Sequence, residues 1–133
     1  MNPDNILAEF ERAKRALQAA RNLYEDGLYE DAVSRSYYAV MHAAKAALLF
    51  HDAVAESHAA VGRLFGSVLV RPGIIEAEWA DVLAREHRRR IAADYGITAS
   101  WESAESLRLV EEAGAFVQRI RVYLKSIGIN LDG

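Results

Sequence analysis

The chain contains no cysteine. That single absence removes disulfide frameworks, thiolate zinc sites and cysteine nucleophiles, and it suits a reducing compartment, so a cytoplasmic location is expected. Proline occurs twice and glycine eight times in 133 residues, whereas alanine, the best helix former, occurs 24 times; the balance favours helices throughout and no sheet. Long apolar runs are also missing. Nothing approaches the ~20 apolar residues of a membrane span, and the opening MNPDNILAEFERAKRA places acids where a signal peptide would carry its apolar stretch. A soluble protein is expected. Finally there is no basic excess: 16 Lys and Arg against 19 Asp and Glu give a net charge of −3. Polyanion binders usually carry such an excess, so any contact with nucleic acid has to come from a local cationic site.

What is present reads as one domain over residues 1–133, long enough to bury roughly two thirds of its unfolded surface without metal or disulfide support. Pro3 behind Asn2 is placed as a first helical residue behind a cap, and Ile6, Leu7, Phe10, Ala13, Leu17, Ala20 and Tyr24 recur at helical spacing, so a first helix runs to about Asp26. Gly27 fits a left-handed cap. Tyr29 to Phe50 then forms a second helix with Val33, Tyr37, Val40, Ala44, Ala47 and Leu48 inward, antiparallel to the first. His58, Val61, Leu64, Phe65, Val68 and Leu69 mark a shorter third helix that stops near Arg71-Pro72-Gly73. Ile75, Trp79, Val82, Leu83 and Ile91 carry a fourth towards Tyr95-Gly96, and Ser100 is positioned to cap a fifth lined by Leu107, Val110, Gly114, Val117, Ile120, Leu124 and Ile127.

The stretch with most chemistry is SRSYYAVMHAAKAALL, Ser34 to Leu49. Seven residues separate Arg35 from His42, and seven helical steps return to within about 20° of the starting face, so guanidinium and imidazole stand one above the other. Asp31 and Tyr38 fall on the same stripe, and Leu49 continues it. Tyr38 and Leu49 are unusual company for charges on a fully solvated face, which points to a partner, a ligand or a second subunit meeting this stripe. The plainer alternative is a surface ion pair between Asp31 and Arg35 at i, i+4. RNA cleavage through the neighbouring 2′-hydroxyl needs a base, an acid and positive charge beside the phosphorus, and the nucleophile is already in the substrate. Histidine titrates near neutrality and arginine holds two phosphate oxygens at once, so Arg35 and His42 are the candidate catalytic pair and Asp31 and Tyr38 candidate binding residues.

A second cationic run, Arg85-Glu86-His87-Arg88-Arg89-Arg90, offers Arg88, Arg89 and Arg90 as candidate phosphate-binding residues, with a structural alternative in which they pair with acids on neighbouring helices. Arg90 and Asp94 are again four apart, which suits a pair within the helix. His58 is read as structural, His51 and His87 have no obvious companion, and Trp79 and Trp101 near helix starts read as packing anchors. No H-E-x-x-H spacing, phosphate loop, serine triad or dinucleotide turn is present, so no metal and no cofactor is expected.

Three segments, G-L-Y-E-D-A-V-S-R-S-Y-Y-A-V-M-H-A-A-K-A-A-L-L, then S-H-A-A-V-G-R-L-F, then R-I-A-A-D-Y-G, together resemble the small stand-alone HEPN-domain proteins of prokaryotes, over about Leu7 to Leu124. The resemblance implies an all-α fold, an up-and-down bundle of four long helices plus one shorter helix, commonly paired as a homodimer and often encoded beside a minimal nucleotidyltransferase. Some such proteins are toxin ribonucleases that cut RNA without metal, using an arginine and a histidine in the pattern R-x(4 to 6)-H contributed by both subunits; others serve as non-catalytic binding partners. Arg35-x6-His42 satisfies that spacing, although it lies within the second helix and not at the start of a later one. The expectation is therefore an endoribonuclease candidate of a toxin and antitoxin or nucleotidyltransferase-associated system, with RNA or nucleotide as ligand. Its alternative is a non-catalytic nucleotide-binding or interaction module for the nucleotidyltransferase.

Overall fold

Asn2 opens the first helix as its position predicts: its side-chain oxygen accepts the Asp4 amide at 2.9 Å and Pro3 takes the first helical position. The computed structural model describes residues 2–96 and 100–132. Its elements are α1 (Pro3–Glu25), α2 (Tyr29–Phe50), α3 (His58–Leu64) running into a π-helical segment (Phe65–Val70), α4 (Ala77–Tyr95) and α5 (Ser103–Ser126). No strand occurs among the described residues. Gly27, just past the end of α1 in the turn to α2, takes φ +78°, a left-handed conformation that costs glycine little.

The bundle is built round α2. Twelve of its 22 residues are buried, because α1, α4 and α5 all pack on it. Fully buried Ala39, Ala43, Ala46 and Ala47 let the neighbouring backbones come close, while Tyr37, Val40 and Leu48 supply bulk. Side-chain ties fix the directions. At one end Ser106 of α5 donates to the Tyr29 carbonyl at 3.1 Å, and at the other His51 Nε2 lies 2.6 Å from the Tyr123 hydroxyl, so α5 runs parallel to α2. α4 runs antiparallel, its Ala92 and Ala93 packing with Val33 near the start of α2. Arg119 of α5 holds Glu76, just before α4, at 2.8 Å, and that bond pulls the Glu76 carboxyl down to about 2.

Two expectations are corrected. Ser100 does not cap α5; Glu102 occupies the cap with extended backbone and no side-chain bond, because Trp101 is buried with the Arg89 guanidinium 4.7 Å from its ring and holds the chain extended until Ser103. Ile91 is not on the buried face of α4. It lies nine residues from Val82, half a turn away on the helical wheel, and is 43% exposed.

The buried face of α4 instead contains Glu86, fully enclosed at the seam with α5. Both its carboxyl oxygens and Glu112 Oε1 are buried without a hydrogen-bond partner, whereas the other Glu112 oxygen takes Arg85 Nε at 3.0 Å. Burial, and then the neighbouring Glu112, push the Glu86 carboxyl up to about 10. A proton on Glu86 resolves the arrangement by donating to Glu112. Because the folded value lies above the unfolded one, this group's contribution is fully present at low pH and is lost as pH rises from about 4.5 towards 10. Glu86→Gln, which keeps the donor and removes the titration, is expected to flatten that decline and to exceed the parent by about 1–2 kcal/mol at pH 9 in urea unfolding. An unchanged slope would show that Glu86 is ionised in the native protein.

Candidate functional site

With three flanks of α2 covered, one narrow stripe stays open, and it carries the polar residues singled out above. Arg35, Tyr38 and His42 floor a shallow groove of about 270 Å³ whose other wall is Arg12, Arg15, Ala16 and Ala19 of α1. The structure thus brings together two of the predicted catalytic candidates and one binding candidate. Asp31 is exposed at the end of the stripe and does not line the groove. No ion pair joins it to Arg35; the Arg35 guanidinium lies 5.6 Å from the centre of the Tyr38 ring instead, a cation–π contact. Leu49 turns inward onto the main core.

The groove is electropositive in an otherwise acidic chain. Arg12 and Arg15 have only loose contacts, at 3.9 Å from Glu9 and 3.7 Å from Glu11, and such exposed pairs hold little energy. His42 Nδ1 is 2.8 Å from Glu9 Oε2, and Lys45 one turn on is 3.6 Å from the other Glu9 oxygen. The His42 bond is the largest of the influences that hold the Glu9 carboxyl below the usual carboxylate range.

The arginines of α4 are dispersed. Arg85 binds Glu112 and Arg89 binds Glu105, both on α5. Arg90 pairs with Asp94 at 2.9 Å, the intrahelical pair that spacing suggests, and donates to the Tyr38 hydroxyl at 3.0 Å, bracing the edge of the groove. Arg88 is exposed and makes no hydrogen bond or ion pair among the described residues.

A cluster that sequence reasoning missed lies on the other side of the tyrosine pair. Tyr37 Oη and His58 Nδ1 are 2.7 Å apart, and the Tyr37, His58 and His87 rings form a triangle with centroid separations of 5.4, 5.0 and 5.4 Å. Together with Ala59, Gly62, Ala80, Leu83 and Ala84 they line a cavity of about 300 Å³ between α3 and α4. Burial first, then Arg90 and Lys45, push the His58 imidazole down; burial, His58 and Arg90 do the same to His87. Burial also raises the Tyr37 phenol to about 12, so it keeps its hydrogen. The S-H pair at the start of α3 was the available signal for His58. His87 carried none, because the α2–α3–α4 packing that creates the triangle joins positions 21 to 50 residues apart. No group of three or more His, Asp or Glu side chains among the described residues is arranged to hold a metal ion, and no helix is long and apolar enough to cross a membrane.

This architecture, a four-helix bundle with a short fifth helix and a polar stripe on its central helix, is that of a known class. The HEPN domain model matches residues 8–126, and the chain belongs to the HEPN family. Among its relatives, a protein of Methanocaldococcus jannaschii named "putative toxin" is 39% identical over 93% of this chain and 92% of its own length. A second protein of that organism with the same description is 29% identical over 90% and 81%, and a UPF0332 protein of Gloeobacter violaceus is 37% identical over 81% and 86%.

The histidine triangle sets an acid limit on stability. Both imidazoles titrate below their ordinary value of 6.5 in the folded chain, so their contribution is complete above that pH and is lost as pH falls through the folded values. Denaturant midpoints are expected to drop between pH 7.5 and 5, and the double variant His58→Gln, His87→Gln to show a smaller drop. Equal drops would place the acid sensitivity elsewhere.

Proposed function

We propose that the chain is a toxin-like HEPN protein that cuts RNA without a metal, in the groove that holds Arg35 and His42. The observation that carries this is the convergence of Arg12, Arg15, Arg35 and His42 on one depression in a chain of net charge −3. The names of the two Methanocaldococcus jannaschii relatives support the toxin assignment. In the proposed step His42 takes the proton of a 2′-hydroxyl, the freed oxygen attacks the adjacent phosphorus, and the bond to the 5′-oxygen breaks as that oxygen takes up a proton. The products are a 2′,3′-cyclic phosphate end and a 5′-hydroxyl end. Arg35, backed by the Tyr38 ring, holds the non-bridging oxygens and stabilises the charge that grows on them. The groove is open and holds one imidazole, so a homodimer, which would bring a second His42 to serve as acid, belongs to the proposal. A minimal nucleotidyltransferase is the proposed partner of the pair.

The test is incubation of purified protein with an RNA oligonucleotide in the presence of a chelator, together with growth of cells that express the chain alone. Growth arrest and fragments with cyclic phosphate ends are expected, and His42→Ala or Arg35→Ala is expected to slow cleavage by about 100-fold or more. Intact RNA, or fragments made equally fast by the His42 variant, would sink the reading.

The Tyr37–His58–His87 cavity favours a second reading, a non-catalytic nucleotide-binding or interaction module. Small walls at Ala59, Gly62, Ala80 and Ala84 leave room beside two imidazoles, His58 with Nε2 left over from its bond to Tyr37 and His87 with a donor and an acceptor nitrogen. Calorimetric titration with nucleotides separates the two: binding abolished by His87→Ala but kept by His42→Ala, without RNA cleavage, supports the module.

A further inference from the structure

We propose that Glu9 is a positioning residue for His42: it fixes which imidazole nitrogen the groove receives. The proposal takes its chemical purpose from the ribonuclease reading, but its geometry is independent of that reading. Glu9 stands on α1, and its carboxylate reaches across to α2, with Oε2 at 2.8 Å from His42 Nδ1 and Oε1 at 3.6 Å from Lys45 Nζ. The two side chains are 14% and 18% exposed, so water competes little for the bond.

The Glu9 carboxyl is held low and is ionised at neutral pH. An ionised carboxylate only accepts hydrogen bonds. His42 Nδ1 must therefore carry the hydrogen, and in the neutral ring Nε2 is left as the bare, basic nitrogen of a side chain that lines the groove. Lys45 and Arg12 approach the other Glu9 oxygen, Oε1, at 3.6 and 3.9 Å and offset part of its charge.

The charge of Glu9 has two opposed consequences for a polyanionic substrate: it aids the chemical step through His42 and repels the RNA. A variant without it should turn over more slowly and bind more tightly, a pairing that general loss of structure does not produce. Glu9→Met, similar in length and without an acceptor, is expected to lower kcat on the order of 10- to 100-fold and to lower KM for an RNA oligonucleotide at low salt. Glu9→Gln, which keeps the shape and one accepting oxygen, is expected to fall between parent and Met and serves if the Met variant does not fold. Nitrogen NMR of labelled histidine supplies a readout that needs no activity: His42 of the parent is expected as the Nδ1–H tautomer above pH 7.5, shifting towards Nε2–H in Glu9→Met. An Nε2–H parent, or a Met variant of an active enzyme whose kcat stays within twofold, overturns the proposal. A parent that cuts no RNA yet shows the Nδ1–H tautomer overturns the ribonuclease reading and the catalytic purpose of Glu9 with it.

Discussion

Everything in this molecule follows from the enclosure of α2. A helix covered by three others must be small or apolar on most of its circumference, and α2 complies with alanines at 39, 43, 44, 46 and 47 and with Val33, Tyr37, Val40 and Leu48. Beyond its first turn the charged side chains of α2 are confined to the uncovered strip, where Arg35, Tyr38, His42 and Lys45 succeed one another at three- and four-residue steps. The groove is thus what remains of the surface of a core helix. Its chemistry is concentrated because it has nowhere else to go.

That enclosure also explains how far the sequence could be read. Helix starts and stops were legible where a cap or a glycine forced them, at Asn2, Gly27 and Gly73, and the Arg35–His42 register followed from helical periodicity alone. Ser100 misled because a burial, that of Trp101, decided where α5 begins. Periodicity gives a face but not a neighbour, so neither Glu9 opposite His42 nor His87 against Tyr37 could be seen before the helices were set side by side. Glu86 was hidden for the same reason: within a run of four arginines it reads as a solvated acid, and only the α4–α5 seam shows it to be enclosed.

The two tyrosines divide the polar residues into separate environments. Tyr38 faces the cationic groove and receives Arg90, whereas Tyr37 faces inward and bonds His58. Adjacent residues on a helix point about 100° apart, so a single dipeptide serves two sites that share the Arg90 guanidinium, 5.4 Å from one ring and 5.9 Å from the other. Arg85 and Arg89, by contrast, pair with acids of α5, so the cationic groove is lined by α1 and α2 and not by the arginine-rich α4.

Gly62 gives the inner cavity an adjustable wall. A methyl group built on it meets no atom within 4 Å, and glycine within a helix forgoes about 1 kcal/mol relative to alanine. The chain therefore tolerates a weaker α3 at a point where a larger residue would fit without strain, and the hollow is kept open by an omitted side chain. Descendants of this sequence can narrow or shut that space by single-residue steps at position 62 without disturbing any backbone, so its volume is free to drift or to be tuned independently of the bundle around it.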